Sequence, residues 1–206
     1  MIRRPPRSTQ SRSSAASDVY KRQTMKRLFL IFLFYLFSQT SSFSNERDVR
    51  LNQLFNELKV NKSKVSSIVE QEIWKIWSTH PTDAKLTAKL EEGSQFVRDQ
   101  QFVKAIEIFT EVINFDQNWA EAWNKRATVF YLIGEFKKSQ DDIDKVLAIE
   151  ARHFGALAGQ GLVNIQLKNY EKAILSYEQA KEIHPSMQSP EIMIRQIEEL
   201  IKQQSI

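Results

Sequence analysis

No cysteine occurs in the 206 residues, which also hold only five glycines, five prolines and three histidines. Without thiols there is no disulfide scaffold, no thiolate zinc site, no iron–sulfur cluster and no thiol catalysis. The lipid-modified cysteine of a bacterial lipoprotein is excluded on the same ground. No proline falls between Thr82 and His184, and all the glycines lie between Gly93 and Gly161. A chain with so few helix breakers reads as all-α. His80, His153 and His184 never stand four residues apart, and none adjoins a Glu-x-x-His arrangement. No phosphate-cradling glycine loop and no G-x-S-x-G occurs either. Catalysis therefore has no constellation to rest on, and no cofactor or metal is expected.

Excess charge of one sign is also missing from the body of the chain. The whole sequence holds 29 Lys+Arg against 25 Asp+Glu, but residues 1–44 take eight of those cations and only one acid, Asp18. What remains is 21 basic and 24 acidic residues, a net charge of −3. A nucleic-acid partner is not expected for such a body.

Long hydrophobic runs are absent too, except one. Leu28–Phe37 is ten apolar residues behind Lys26 and Arg27, short for a bilayer span and suited to the core of a secretory signal. Residues 25–44 read as that signal, with cleavage expected at Ser44–Asn45 and an uncleaved membrane anchor as the alternative. The mature protein would then be periplasmic or secreted, without a stable membrane span. Residues 1–23 are Arg- and Ser-rich; they resemble translated sequencing-adaptor DNA, and their composition also fits a transit peptide. On either reading they stand outside the folded body. Asn61–Lys62–Ser63 is a glycosylation sequon, idle in a bacterial chain.

What the sequence does contain is a repeat. Leu86–Trp119, Ala120–His153 and Phe154–Met187 align without gaps at a period of 34 residues. Gly93, Ala127 and Gly161 share a small-residue column, as do Ala105, Ser139 and Ala173. Large residues recur at Phe102, Phe136 and Tyr170, at Phe109, Ile143 and Tyr177, and at Phe115, Ile149 and Ile183. Each block carries two amphipathic helices, with turns expected at Asp99–Gln101, Gly134 and Lys168–Asn169. Small residues let the paired helices approach, and stacked neighbours supply the core that one hairpin cannot make.

These columns resemble the tetratricopeptide repeat, with three copies at 86–119, 120–153 and 154–187. The departures are Glu92 and Gln160 at a position usually held by leucine, and Lys89 at the opening aromatic. The resemblance implies a right-handed α-solenoid whose concave face is lined by the first helix of each repeat. The family's groove columns fall here on Leu90, Ser94 and Val97, then Asn124, Thr128 and Tyr131, then Ala158, Leu162 and Ile165. That strip suits an extended or helical peptide, with Asn124 bonding its backbone and Tyr131 offering area and a polar tip. Cochaperone members of the family grip a terminal carboxylate with Lys and Asn at fixed columns. Leu90, Ser94, Thr128, Ala158 and Leu162 stand there instead, so that clamp is not expected.

Two flanks complete the organisation. Residues 46–80 form an N-terminal helical hairpin resembling a decayed repeat, apolar at Leu51, Leu54, Phe55 and Leu58 and again at Val65, Ile68, Val69, Ile73, Ile76 and Trp77. Trp74 and Trp77 are expected to pack on the first repeat. Residues 189–204 form a capping helix opened by Ser189–Pro190, with Ile192, Ile197, Leu200 and Ile201 inward. Asp141, Asp142 and Asp144 read as a solvated convex face rather than a cation site, lacking the loop such cages use. The expected function is an exported, non-enzymatic scaffold that binds a segment of a partner protein in envelope assembly or secretion. Self-association through the array end or last helix is the alternative.

Overall fold

The computed structural model describes residues 46–60 and 64–204. The leader 1–23, the signal segment 25–44 and the sequon Asn61–Ser63 lie outside the described residues. Nine helices and no strand occur among those described: α1 (46–60), α2 (Lys64–Ser78), α3 (Ala84–Arg98), α4 (Phe102–Phe115), α5 (Ala120–Leu132), α6 (Phe136–Ile149), α7 (Phe154–Gln166), α8 (Tyr170–Ile183) and α9 (Gln188–Gln204). None of them is long and apolar enough to cross a membrane.

Three helical hairpins, α3–α4, α5–α6 and α7–α8, stack in sequence order. Each hairpin closes where a small residue of the first helix meets a large one of the second. A Cβ added at Gly93 would lie 2.5 Å from the ring of Phe109, and one at Gly161 would lie 2.5 Å from that of Tyr177. Phe109 and Tyr177 are in turn buried. The turns between paired helices are identical in form. Gln100, Gly134 and Lys168 all take positive φ, at 57°, 80° and 60°. Behind each, paired bonds of the Schellman type satisfy the helix's last carbonyls, as in Gln101 N–H to Phe96 O at 2.8 Å and Gln100 N–H to Val97 O at 3.0 Å. Only the middle repeat places glycine there, so the other two carry a left-handed residue with a side chain.

The last helix covers the third repeat with Met193, Ile194, Ile197 and Ile201. Ile192, expected to face inward, is exposed instead, because the buried residues follow the 193–197–201 ladder one position later. The helix also begins a residue early, at Gln188, taking Ser189 and Pro190 into its first turn.

The N-terminal hairpin does not stack as a further repeat. Helix α2 runs along the seam where one repeat passes into the next, and its contacts walk backwards through the array. Ser66 hydrogen-bonds Ser186, and Glu70 Oε2 lies 3.2 Å from His184 Nε2. Trp77 stacks on His153 at 4.0 Å between ring centroids, and its carbonyl accepts the Trp119 indole N–H at 2.7 Å. Past the end of α2, His80 Nε2 meets Asp116 Oδ2 at 3.0 Å. Trp74 and Trp77 therefore pack their rings on His153 and Phe154 at the junction of the second and third repeats, and Trp77 meets the first through the Trp119 indole. Val65 and Ile68 are exposed; the buried ladder is Ser66, Val69, Ile73 and Trp77. Helix α1 backs α2 with Leu51, Leu54, Phe55 and Leu58. Its Arg47 donates to the carbonyls of Ile76 and Thr79, each at 2.7 Å, where the α2 dipole is negative.

Candidate functional site

The first helices of the repeats and the strap α2 enclose a cavity of about 360 Å³. Helix α3 supplies Ser94, Val97 and Arg98; α5 supplies Asn124, Lys125 and Thr128; Gly155 opens α7; and Trp74 of α2 closes the rim. A smaller cavity of about 70 Å³ adjoins it, sharing Asn124, Thr128 and Gly155 and continuing past Tyr131, Gly159 and Leu162. The strap reaches the site because Gly155 has no side chain: a Cβ there would lie 2.5 Å from the edge of the Trp74 indole.

Beneath the cavity is a buried carboxylate. Glu121 is fully covered, and its Oε2 accepts from Asn124 Nδ2 at 3.0 Å and from His153 Nε2 at 3.1 Å. Lys125 Nζ lies 3.2 Å from Oε1. The His153 tautomer follows from its other nitrogen, since Nδ1 accepts the Ala156 N–H at 3.0 Å and caps α7. Nε2 then carries the proton that is donated to Glu121. Burial pushes the Glu121 carboxyl upward, but the hydrogen bond from His153 together with the charge and bond of Lys125 outweighs it and holds the group below its usual range. His80 is wired the same way, with Nδ1 accepting the Asp83 N–H at 2.9 Å and Nε2 turned to Asp116.

The cavity's polar groups are ordered. Ser94 donates to Leu90 O at 3.0 Å and Thr128 to Asn124 O at 2.9 Å, so both hydroxyl protons point back into their own helices. Arg98 is held by Glu91 at 2.7 Å and by Gln95 at 2.5 Å. Behind the site, Arg126 grips Asp142 through two bonds of 2.8 Å, and Asp142 is buried. The convex placement expected for Asp142 is thus corrected, because an arginine of the neighbouring helix draws it inward. Among the described residues, no group of three His, Cys, Asp or Glu side chains is placed to hold a metal ion.

Of the nine groove residues expected from the sequence, Ser94, Val97, Asn124 and Thr128 line the larger cavity, and Tyr131 and Leu162 line the smaller one beside Asn124 and Thr128. Leu90 belongs instead to the core, buried with Leu86, Phe109 and Val112. Ala158 and Ile165 pack on the cluster that α8 forms with α9, so the capping helix has claimed them. Trp74, Lys125 and Gly155 were not anticipated. Trp74 has a signal in retrospect: it stands outside the Val69–Ile73–Trp77 ladder, which marks a second apolar side on α2.

A tetratricopeptide-repeat family model matches residues 155–187. A TPR repeat-containing protein of Rhizobium etli is 30% identical over 152 residues, covering 73% of this chain and 74% of that one. Among solved structures, the Sgt2 TPR domain from Aspergillus fumigatus superposes with a TM-score of 0.57 at 16% identity, covering 60% of this chain and 83% of that one. The TPR2B domain of yeast Sti1, in complex with pHsp70, superposes with a TM-score of 0.55 at 15% identity, covering 57% and 99%.

Proposed function

The chain belongs to the tetratricopeptide-repeat family, and on that premise we propose that it is a non-enzymatic scaffold holding a segment of a partner protein in its concave groove. One observation carries this reading: two adjoining cavities run across α3, α5 and α7, lined by side chains rather than filled by them. The complex of the yeast Sti1 TPR2B domain with pHsp70 supports the same use of the fold. The two adjoining cavities suit an extended or a helical segment. A terminal-carboxylate clamp of the cochaperone kind is not part of the reading, since Leu90, Ser94, Thr128, Ala158 and Leu162 leave its columns without a cation.

The place of action is the bacterial envelope or the exterior, a reading supported by residues 25–44. A crosslinked pull-down from the envelope fraction tests both parts, run beside an Asn124→Ala, Tyr131→Glu variant whose folding is checked by circular dichroism. A partner captured by the normal chain and lost with the folded variant is the expected result. The same partner on both would move the function off the groove. Self-association is the second reading, favoured by Phe115 and Ile149, one apolar column left 73% and 41% exposed. A monomer at every concentration in light scattering would remove it.

A further inference from the structure

Gly159 is the one glycine for which the fold itself gives no reason. Gly93 and Gly161 are bare because the rings of Phe109 and Tyr177 close on them, Gly155 because the Trp74 indole does, and Gly134 because its φ is +80°. Beyond its own helix backbone, a Cβ added at Gly159 would meet one atom within 4 Å, Ile143 Cδ1 at an ordinary 3.7 Å. Gly159 stands in the middle of α7, where glycine weakens a helix through the freedom it gives the unfolded chain. At the 34-residue period its column holds Glu91 in the first repeat and Lys125 in the second, both long side chains. Only the third repeat leaves the column empty.

The space that the missing side chain leaves is the smaller cavity, between α5 and α7. Its floor is Ala127, Ile143 and Ala156, all buried and all part of one apolar cluster. Ser139, also on the floor, has spent its hydroxyl proton on the Ala127 carbonyl at 2.8 Å. Tyr131 and Leu162 stand half-buried at the rim. The cavity's volume of about 70 Å³ is half of the ~150 Å³ that takes a benzene ring in an apolar interior. An aliphatic group fits it better than an aromatic one. A methyl at position 159 would be accepted by the fold and would stand in this space, so α7 would gain strength and the cavity would lose depth.

We propose that Gly159 is a specificity-determining residue: its missing side chain keeps open an anchor pocket between α5 and α7 that takes one branched aliphatic side chain of the bound segment. This rests on the groove reading above and deepens it by naming the residue that sets the pocket's depth and the class of side chain admitted. Helix stability is given up at Gly159 for room, the exchange expected where a position serves a ligand rather than the fold.

Two measurements test it, and the first needs no ligand. Gly159→Ala should raise the denaturation midpoint, whereas Gly155→Ala and Gly161→Ala, whose Cβ atoms would meet rings at 2.5 Å, should lower it. A lower midpoint for Gly159→Ala would show that the fold needs the bare position, and overturns the proposal. The second is a random peptide library selected against the full chain. The expected peptides share a Val, Ile or Leu whose replacement by Ala lowers affinity about tenfold or more. Gly159→Ala should weaken them about threefold and Gly159→Leu about thirtyfold, in variants whose circular dichroism matches that of the normal chain. Against Gly159→Leu the anchor-to-Ala change should cost almost nothing, because the pocket is already filled. Peptides without a shared aliphatic residue, or peptides that bind Gly159→Leu as well as the normal chain, overturn the proposal. If such peptides are still lost with Ser94→Glu, which lines the larger cavity alone, the groove reading survives without the pocket. If Ser94→Glu is also without effect, or no peptide binds, both fall.

Discussion

Phe109, Ile143 and Tyr177 occupy one column of the repeats: Phe109 and Tyr177 close on Gly93 and Gly161 in the same way, and Ile143 shares a buried cluster with Ala127. The strap has no such grammar. Ser66 meets a serine, Glu70 and His80 meet opposite members of histidine–carboxylate pairs, and Trp77 meets a stacked imidazole and an indole N–H. Repeats are held by one apolar contact translated by a fixed step, so each copy confirms the others. The strap is held by single polar and aromatic contacts, each made once and together spread over all three repeats. Stability in the first region is spread evenly; in the second it sits in a few side chains.

The largest expected effect follows from that contrast. Phe109→Ala should cost the array about 3–5 kcal/mol, read as a fall in the denaturation midpoint. Trp77→Ala should cost a similar amount locally, but show in hydrogen exchange as loss of protection in α1 and α2 while the repeats keep theirs. Equal loss throughout would mean that strap and array fold as one unit and that the distinction is only descriptive.

Glu121→Gln, at the junction of the two regions, should destabilise by about 1.5–3 kcal/mol at neutral pH through its charge-assisted bonds. The Glu121 carboxyl is held below its ordinary range by His153 and Lys125, so its contribution is present above the unfolded value of about 4.3 and lost as pH falls through the lower folded one. Melting curves of the normal chain and the variant should therefore stand apart at pH 7 and converge in strong acid. A gap that persists unchanged there would show that shape, not charge, is what Glu121 contributes.

Ala105→Trp and Ala173→Trp, each at a fully buried contact between paired helices, should cost about 1–3 kcal/mol. Unchanged midpoints for both would break the repeat register. The smallest effect is expected at the turns. Lys168→Gly relieves a left-handed residue at φ 60° and should raise stability by up to about 1 kcal/mol, less the entropy that glycine adds to the unfolded chain.

The repeat columns were legible because three copies of one contact make a periodic signal, and a small residue facing a large one is visible in composition. The left-handed turn was legible at Gly134 alone; Gln100 and Lys168 take the same φ with nothing in their side chains to announce it. Leu90 was misplaced because a groove column says where a residue points in an average repeat. Here an aliphatic arm at that column has turned into the α3–α4–α5 core. Ala158 and Ile165 were lost to α9, whose docking depends on a neighbour rather than on their own repeat. The inward turn of Asp142 depends likewise on Arg126 from the facing helix.

Residues read in order were enough for the helices, their pairing and the three-fold stack, because those features rest on contacts between positions a fixed distance apart. They were also enough to exclude thiol chemistry. Only the tertiary structure decided that the N-terminal hairpin runs along the repeat junctions, that Trp74 closes the groove against Gly155, and that Glu121 lies buried between His153 and Lys125. Apart from the i,i+4 contact of Lys125 with Glu121, each of those contacts joins residues far apart in the chain at a spacing used once, and a spacing used once leaves no pattern to read.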